Sequence, residues 1–355
     1  VTSLHFGDSS RGQPRAYIQA GLHASEIPGM LVAHYLREQL LELENEGNLI
    51  GEVILLPVSN PIGLDQNLLS YQMGRFDFAS GENFNRFFPN LAEIIAAEVA
   101  DQLDADPNAN VRHVRMALRR HIDNLTCLRP IESLRKILLG LACDADIVLD
   151  LHCDCESVLH LYTHSAVLDE VMPLSALLGA HATLYAEVQG NSPFDEVNIE
   201  FWTILQALLP DCPLPLPTVT ATIELRGQLD VSHDQAREDA LAIIRYLQHR
   251  GFCRRPEAAR VPLPSHQATP LAGTEVVIAD RPGVITYLAE CGQQLQIGDP
   301  VADIVDPING EVRRHHATVS GVLFARQNRR YALPCLDLAY IAGSVSFRMG
   351  NLLSA

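Results

Sequence analysis

The chain has 355 residues, a mass of 39.1 kDa and a formal charge of −17. At roughly 150 residues per domain this length predicts about two domains, and a composition 47% hydrophobic and 19% charged is that of a globular protein, which excludes disordered and fibrous classes. Such an acidic excess repels a phosphodiester backbone and an anionic lipid surface, so neither nucleic acid nor membrane is expected as a partner.

In chain order, 16–20 reads as a short apolar strand stopped by Gly21. Pro28, tolerated in a first helical turn, introduces a helix through 30–43. A buried-type strand, 53–58, ends at Asn60-Pro61. Helical spacing follows at 91–103 and 111–122, then a strand at 147–152 after a helix, a β-branched strand at 218–225 and a helix at 234–249. This alternation predicts an α/β fold, a mostly parallel mixed sheet flanked by helices. The composition changes near residue 253. Arg254-Arg255-Pro256 and Val261-Pro262-Leu263-Pro264 mark a linker, and 275–279, 283–289, 300–305, 321–325 and 338–341 alternate with turns. The expected organisation is an α/β domain over 1–253, a linker over 254–269 and a small all-β domain over 270–355.

The richest apolar run, 137–151, is broken by Asp144, Asp146 and Asp150, so no membrane span is expected. Residues 1–21 have no basic segment followed by an apolar one, so no signal peptide is expected there. The chain opens at Val1 and not Met, so a short natural N-terminal piece is expected to be missing. Eight irregularly spaced cysteines point to reduced thiols and a cytoplasmic protein. Lys136 is the only lysine, which limits lysine chemistry to one position.

Four segments carry side chains suited to chemistry. Gly21-Leu22-His23-Ala24-Ser25-Glu26 follows a strand and precedes a helix, where open α/β sheets collect ligands. A His and a Glu three apart on a turn can hold one divalent ion. Chance supplies about 1.7 such spacings among 14 His and 43 acids, and His5/Asp8 shares the spacing without meaning. Asp150-Leu151-His152 ends a strand with both polar side chains on one face, so Asp150 can orient a ligating His152. The structural alternative is a buried His beside a capping acid. Glu224, within Ala221–Gly227, is costly to bury without a task and suits a carboxylate base, unless it pairs with Arg226. Asn85 and Arg86, in Gly81–Pro89, combine an amide with a planar fork that grips a carboxylate. Arg75 upstream can reach a developing oxyanion. Surface salt bridges are the alternative for both arginines.

The order His-x-x-Glu, Asn-Arg-x-Phe-Pro, Asp-Leu-His and Thr-x-Glu resembles the succinylglutamate desuccinylase/aspartoacylase family, within the zinc carboxypeptidase-like fold group. The resemblance covers the first domain and, in outline, the β domain. It implies one zinc ion per chain on His23, Glu26 and His152, Glu224 as general base, Asn85 and Arg86 on the substrate carboxylate, and Arg75 near the scissile carbonyl. Asn83 stands where relatives usually carry Asp, which weakens a supporting role there, and Arg75 lies in a segment of variable length. The C-terminal stretch 283–306 resembles a biotinyl/lipoyl-type hybrid, but it has no lysine to carry a group.

Other residues receive plainer expectations. Cys153 and Cys155 are expected as packed thiols, His315-His316 as a solvated loop pair, and 210–217 as a rigid loop. His160, Tyr162 and His164 are expected on the strand after the ligand, with Tyr162 facing the pocket. Residues 191–201 are expected as a loop whose Asp195, Glu196 and Glu200 would repel a second substrate carboxylate if they faced inward. The chain therefore reads as a zinc-dependent amidohydrolase, a deacylase of small N-acyl amino acids. A peptide-cleaving zinc carboxypeptidase and a non-catalytic metabolite-binding protein are the alternatives. The expected partner is a small anionic substrate, and a homo-oligomer is compatible with the sequence.

Overall fold

The computed structural model describes residues 1–8, 12–255 and 260–353, so Pro256 of the linker motif lies outside the described residues. An eight-stranded mixed sheet forms the centre of the α/β part. Across it run Leu4–Gly7, Glu52–Leu56, Arg15–Ala20, Ile147–Asp154, Val219–Gly227, His160–His164, Ala182–Ala186 and Thr269–Pro270. Leu4–Gly7 is antiparallel to its neighbour, and so is His160–His164 to Val219–Gly227; the remaining pairings are parallel.

Each face of the sheet is packed by helices. Ile18, Leu149, Ile223 and Leu161 point to one apolar layer beneath Pro28–Asn45, Leu168–Leu178 and His233–His249. Tyr17, Val148 and Leu56 point to the other, beneath Ala92–Val99, Pro107–Asp123, Pro130–Ala142 and Phe194–Leu208. The period of two along each strand produces this division. Pro28, Pro107 and Pro130 each occupy a first helical turn, where the missing N–H costs nothing, and Asp106 caps Asn108 and Ala109.

Three expectations are corrected. Residues 194–208 are helix, so the loop expected over 191–201 ends at Pro193. The 91–103 helix stops at Val99 and tightens into a single 3₁₀ turn over Ala100–Gln102. His315 and His316 lie on the strand Val312–His316, not in a loop.

The C-terminal part is all β. One sheet pairs Thr274–Ile278, Asp337–Gly343 and Gly321–Arg326; the other pairs Val312–His316, Pro300–Val305 and Gly283–Tyr287. Their core holds Ile285, Leu295, Ile304, Leu323 and Ile341. This part docks on the α/β part close to its central strands. Gly321–Arg326 pairs with Glu156–Ser157, Arg326 and Arg330 both reach Glu156, and Thr269–Pro270 joins the large sheet just before the β segment begins. Among the described residues, no helix is long and apolar enough to cross a membrane.

Candidate metal centre

Strand ends and one buttressed turn assemble the site. Arg15–Ala20 stops at Gly21, whose φ of +70° favours glycine, and the chain turns through His23 and Glu26 before Pro28 opens the helix. The end of the neighbouring strand holds this turn. Ser59 donates from its N–H and its hydroxyl to the Ala20 carbonyl, and Asn60 Nδ2 donates to the Leu22 carbonyl at 2.8 Å. The third side chain, His152, sits near the end of Ile147–Asp154.

The three converge. His23 Nδ1 lies 2.9 Å from Glu26 Oε1, and His152 Nδ1 lies 2.8 Å from Glu26 Oε2. All three residues are buried, and one donor atom from each falls within 4.8 Å of the others. Asn83 fixes the tautomer of His23. Its Oδ1 accepts the Asn85 N–H at 2.8 Å, which identifies that atom as the oxygen, and it also accepts from His23 Nε2 at 2.8 Å. The ring proton is therefore on Nε2, and Nδ1 turns a lone pair toward a carboxylate oxygen. Burial pushes the His23 pKa down to about 4, so a second ring proton does not relieve that contact near neutrality. The Arg75 guanidinium, 3.3 Å from both atoms, relieves it in part, and a bound metal cation would supply the rest. Two imidazoles and a carboxylate suit zinc and several other divalent ions.

His152 has a second anionic neighbour. Its Nε2 is 3.0 Å from Asp150 Oδ2, within ion-pair reach but off the hydrogen-bond line. Burial alone would lower its pKa; the Asp150 and Glu26 carboxylates overcome that and hold it well above the ordinary value. Burial likewise opposes ionisation of Glu26, yet the two imidazoles keep it well below the usual carboxylate range. Glu26 Oε2 also accepts the Cys153 N–H at 3.1 Å, which locks the carboxylate in place.

Glu224 is the register neighbour of His152 on the adjacent parallel strand, so both side chains project from one face of the sheet. Its Oε2 is buried without a hydrogen-bond partner among the described residues. Burial, with the Glu26 and Asp154 carboxylates nearby, raises its pKa well above the ordinary value. The alternative pairing with Arg226 does not occur: Arg226 grips Asp239 through two bonds of 2.8 Å.

The residues expected to bind an anion adjoin this cluster, Arg75 directly and Asn85 through Asn83. Arg75 NH1 is 3.3 Å from both His23 Nδ1 and Glu26 Oε1. Asn85 Oδ1 accepts the Phe194 N–H at 2.8 Å, which leaves its amide NH2 as the group it can offer a ligand. Arg86 is buried, donates to the Asn85 carbonyl at 2.7 Å, and has its pKa lowered to about 10 by burial and by Arg75. Asp195 and Glu196, expected on a loop, are buried on the helix. Glu196 Oε2 accepts the Gln189 and Gly190 N–H groups, and Asp195 accepts from Gln189 Nε2. Glu200 takes Asn90.

Cys153 and Cys155 are thiols raised by burial, the latter to about 11, and neither belongs to the trio that could hold a metal ion. Tyr162 is buried beside His160, whose ring packs on Phe324 of the β part at 4.8 Å between centroids. Sequence reasoning underrated Asn83, whose amide oxygen makes the contact that a carboxylate would make. It missed Gly74, where a Cβ would lie 2.3 Å from the Ser25 nitrogen, so only glycine lets the Arg75 loop close on the His23–Glu26 turn. A glycine preceding a candidate arginine was the available signal.

The family model of the succinylglutamate desuccinylase/aspartoacylase catalytic domain matches residues 12–117, a span that contains His23, Glu26, Arg75 and Asn83–Arg86. No curated protein matches the chain. Among solved structures, a protein assigned to the same family from Shewanella amazonensis superposes with a TM-score of 0.82 at 25% identity, over 96% of this chain and 93% of that one. A second, from Shewanella frigidimarina, gives 0.82 at 24% identity over 96% and 92%. The product-bound ectoine utilization protein EutE (DoeB) from Ruegeria pomeroyi gives 0.64 at 15% identity over 93% and 86%, a likeness of fold.

Proposed function

We propose that this chain, matched by the succinylglutamate desuccinylase/aspartoacylase family model over residues 12–117 and similar in fold to solved structures assigned to that family, is a metal-dependent amidohydrolase that removes the acyl group from a small N-acyl amino acid or related amide. The observation that carries this reading is the meeting of His23, Glu26 and His152 beside Glu224, with Asn85 tied to His23 through Asn83 and Arg86 next to it in the chain.

Zinc held by His23, Glu26 and His152 would supply a Lewis acid that polarises a carbonyl and lowers the pKa of water from 15.7 toward about 7. Glu224 takes the proton of the attacking water on its carboxylate and returns it to the leaving amine nitrogen. Its raised pKa suits a group that must hold a proton between those events. The Arg86 guanidinium and the Asn85 amide NH2 bind the substrate carboxylate and so fix the register of the scissile bond. Arg75 donates to the carbonyl oxygen as negative charge develops; one such donor is worth roughly 3 to 4 kcal/mol in other enzymes. The β part packs Phe324 against His160, the register partner of Glu224, which supports reading it as a wall of the approach that favours small substrates.

The test is hydrolysis of a panel of N-acetyl and N-succinyl amino acids, dipeptides and longer peptides by the zinc-loaded protein, with Glu224→Gln as control. The expected result is cleavage of acyl amino acids, with a loss of at least a thousandfold in kcat for Glu224→Gln and unchanged zinc content. Preference for peptides would select the carboxypeptidase reading. A protein that binds no divalent metal and cleaves nothing would leave the metabolite-binding reading.

A further inference from the structure

One nitrogen of Arg75 touches the two donor atoms that a cation at this site needs most. Its NH1 is 3.3 Å from His23 Nδ1 and 3.3 Å from Glu26 Oε1. The Nδ1 atom is a lone-pair donor because the ring proton is committed to Asn83 through Nε2. An Arg75 N–H can therefore use the same lone pair that coordination uses, and its positive charge stands within a few ångströms of any ion held there. No neighbour forces it outward: Gly74, with no Cβ, lets the loop sit directly on the His23–Glu26 turn, where Ala24 N–H donates to the Gly74 carbonyl at 2.9 Å.

We propose that Arg75 is a tuning residue for the metal, competing with it for His23 and Glu26 and so lowering the affinity of the site. This rests on the reading that His23, Glu26 and His152 hold the ion. Arg75 and the ion are like charges that share two ligand atoms, so each weakens the other's hold. The competition is partial because the guanidinium is half exposed, with a side-chain exposure of 43%, and solvent screens much of the repulsion. An arginine drawn away from Glu26 by a substrate oxyanion would relax that penalty, so a site that binds its metal loosely at rest binds it more firmly when occupied.

The experiment measures the zinc dissociation constant by competition with a chromophoric chelator for the wild-type chain, Arg75→Met, Arg75→Lys and His23→Ala. Arg75→Met is expected to bind zinc roughly three- to tenfold more tightly than wild type. Arg75→Lys, which keeps the charge on a shorter stem, is expected to fall between them. Circular dichroism confirms that each variant is folded, and Arg75→Lys stands in if Arg75→Met is not. Equal or weaker binding by Arg75→Met, with Arg75→Lys no tighter than wild type, overturns the competition. His23→Ala separates the two ideas: if it binds zinc as well as wild type does, the ligand assignment itself has failed, whatever the arginine variants show.

Discussion

Replacing Asn83 with alanine tests how the site is held together. The side chain accepts two buried N–H groups on one oxygen, from His23 Nε2 and from the Asn85 backbone, each at 2.8 Å. Alanine leaves both donors without an acceptor, at about 1 to 3 kcal/mol apiece. It also removes the Asn83 NH2, which is buried without a partner, and so recovers about 1 kcal/mol. The net expected loss is about 1 to 5 kcal/mol of folding stability. The His23 ring also loses the bond that fixes its tautomer, which lowers metal affinity roughly ten- to a hundredfold in comparable sites. Asn83→Asp keeps an acceptor for both donors and places a negative charge behind the ligand, so it is expected to match or exceed the wild-type affinity. Urea denaturation of the chelator-treated protein reads the first effect, and a zinc competition titration reads the second. An alanine variant with wild-type stability and wild-type zinc affinity would show that the Asn83 bond does not hold His23.

Gly74→Ala puts a methyl 2.3 Å from the Ser25 nitrogen. It should cost about 1 to 3 kcal/mol and displace Arg75, read as a fall in kcat/KM larger than the stability loss explains; unchanged kcat/KM would separate the loop from the chemistry. Phe324→Ala removes a buried ring that packs on His160 and Tyr340, and denaturation should show a loss of about 3 to 5 kcal/mol; a loss below about 1 kcal/mol would mean the β part docks by its strand pairing alone. His160 is pushed down to about 4 by burial, against 6.5 in an exposed chain. The unfolded chain therefore binds the extra proton first as pH falls. Stability is fully present above about pH 6.5 and declines toward pH 4, by about 3 kcal/mol from this residue alone. His160→Phe should flatten that part of the stability–pH curve, and parallel curves for the two proteins would refute the assignment.

The parts of the site that could be read in the sequence are those set by local grammar. A strand, a stop glycine, His-x-x-Glu and a helix-opening proline determine where His23 and Glu26 sit, and the period of two places Asp150 and His152 on one face. The helix Phe194–Leu208 was not readable in this way. Its first turn carries Asp195 and Glu196, which a surface helix would send to solvent, yet both are buried because Glu196 takes the Gln189 and Gly190 N–H groups. Only the fold reveals that those donors need it. The strand Val312–His316 escaped for the opposite reason: it is an edge strand, exposed at nearly every position, and has no alternation to betray it. Asn83 could be seen but not valued, because its role depends on a bond to a residue sixty positions away.

The placement of Glu224 depends on register and on how its strand ends. Opposite His152 in a parallel pairing, Glu224 shares a face with it, while Ile223 and Leu225 turn into the apolar layer with Leu149 and Leu161. A slip of one residue would offer Ile223 to the His152 side and force a carboxylate into hydrocarbon, so burial of the apolar layer enforces the placement of Glu224. The strand then breaks register between Glu224 and Gly227, where Arg226 adopts a φ of +63° that a non-glycine residue rarely takes. A conformation of that kind costs about 1 to 3 kcal/mol and persists only where its surroundings hold it. Asp239, on the helix that follows, holds it with a bidentate grip on the guanidinium. The arginine two residues beyond the candidate base thus serves the backbone and not the carboxyl, and burial, against the pull of His152 and Arg75, keeps the Glu224 pKa high.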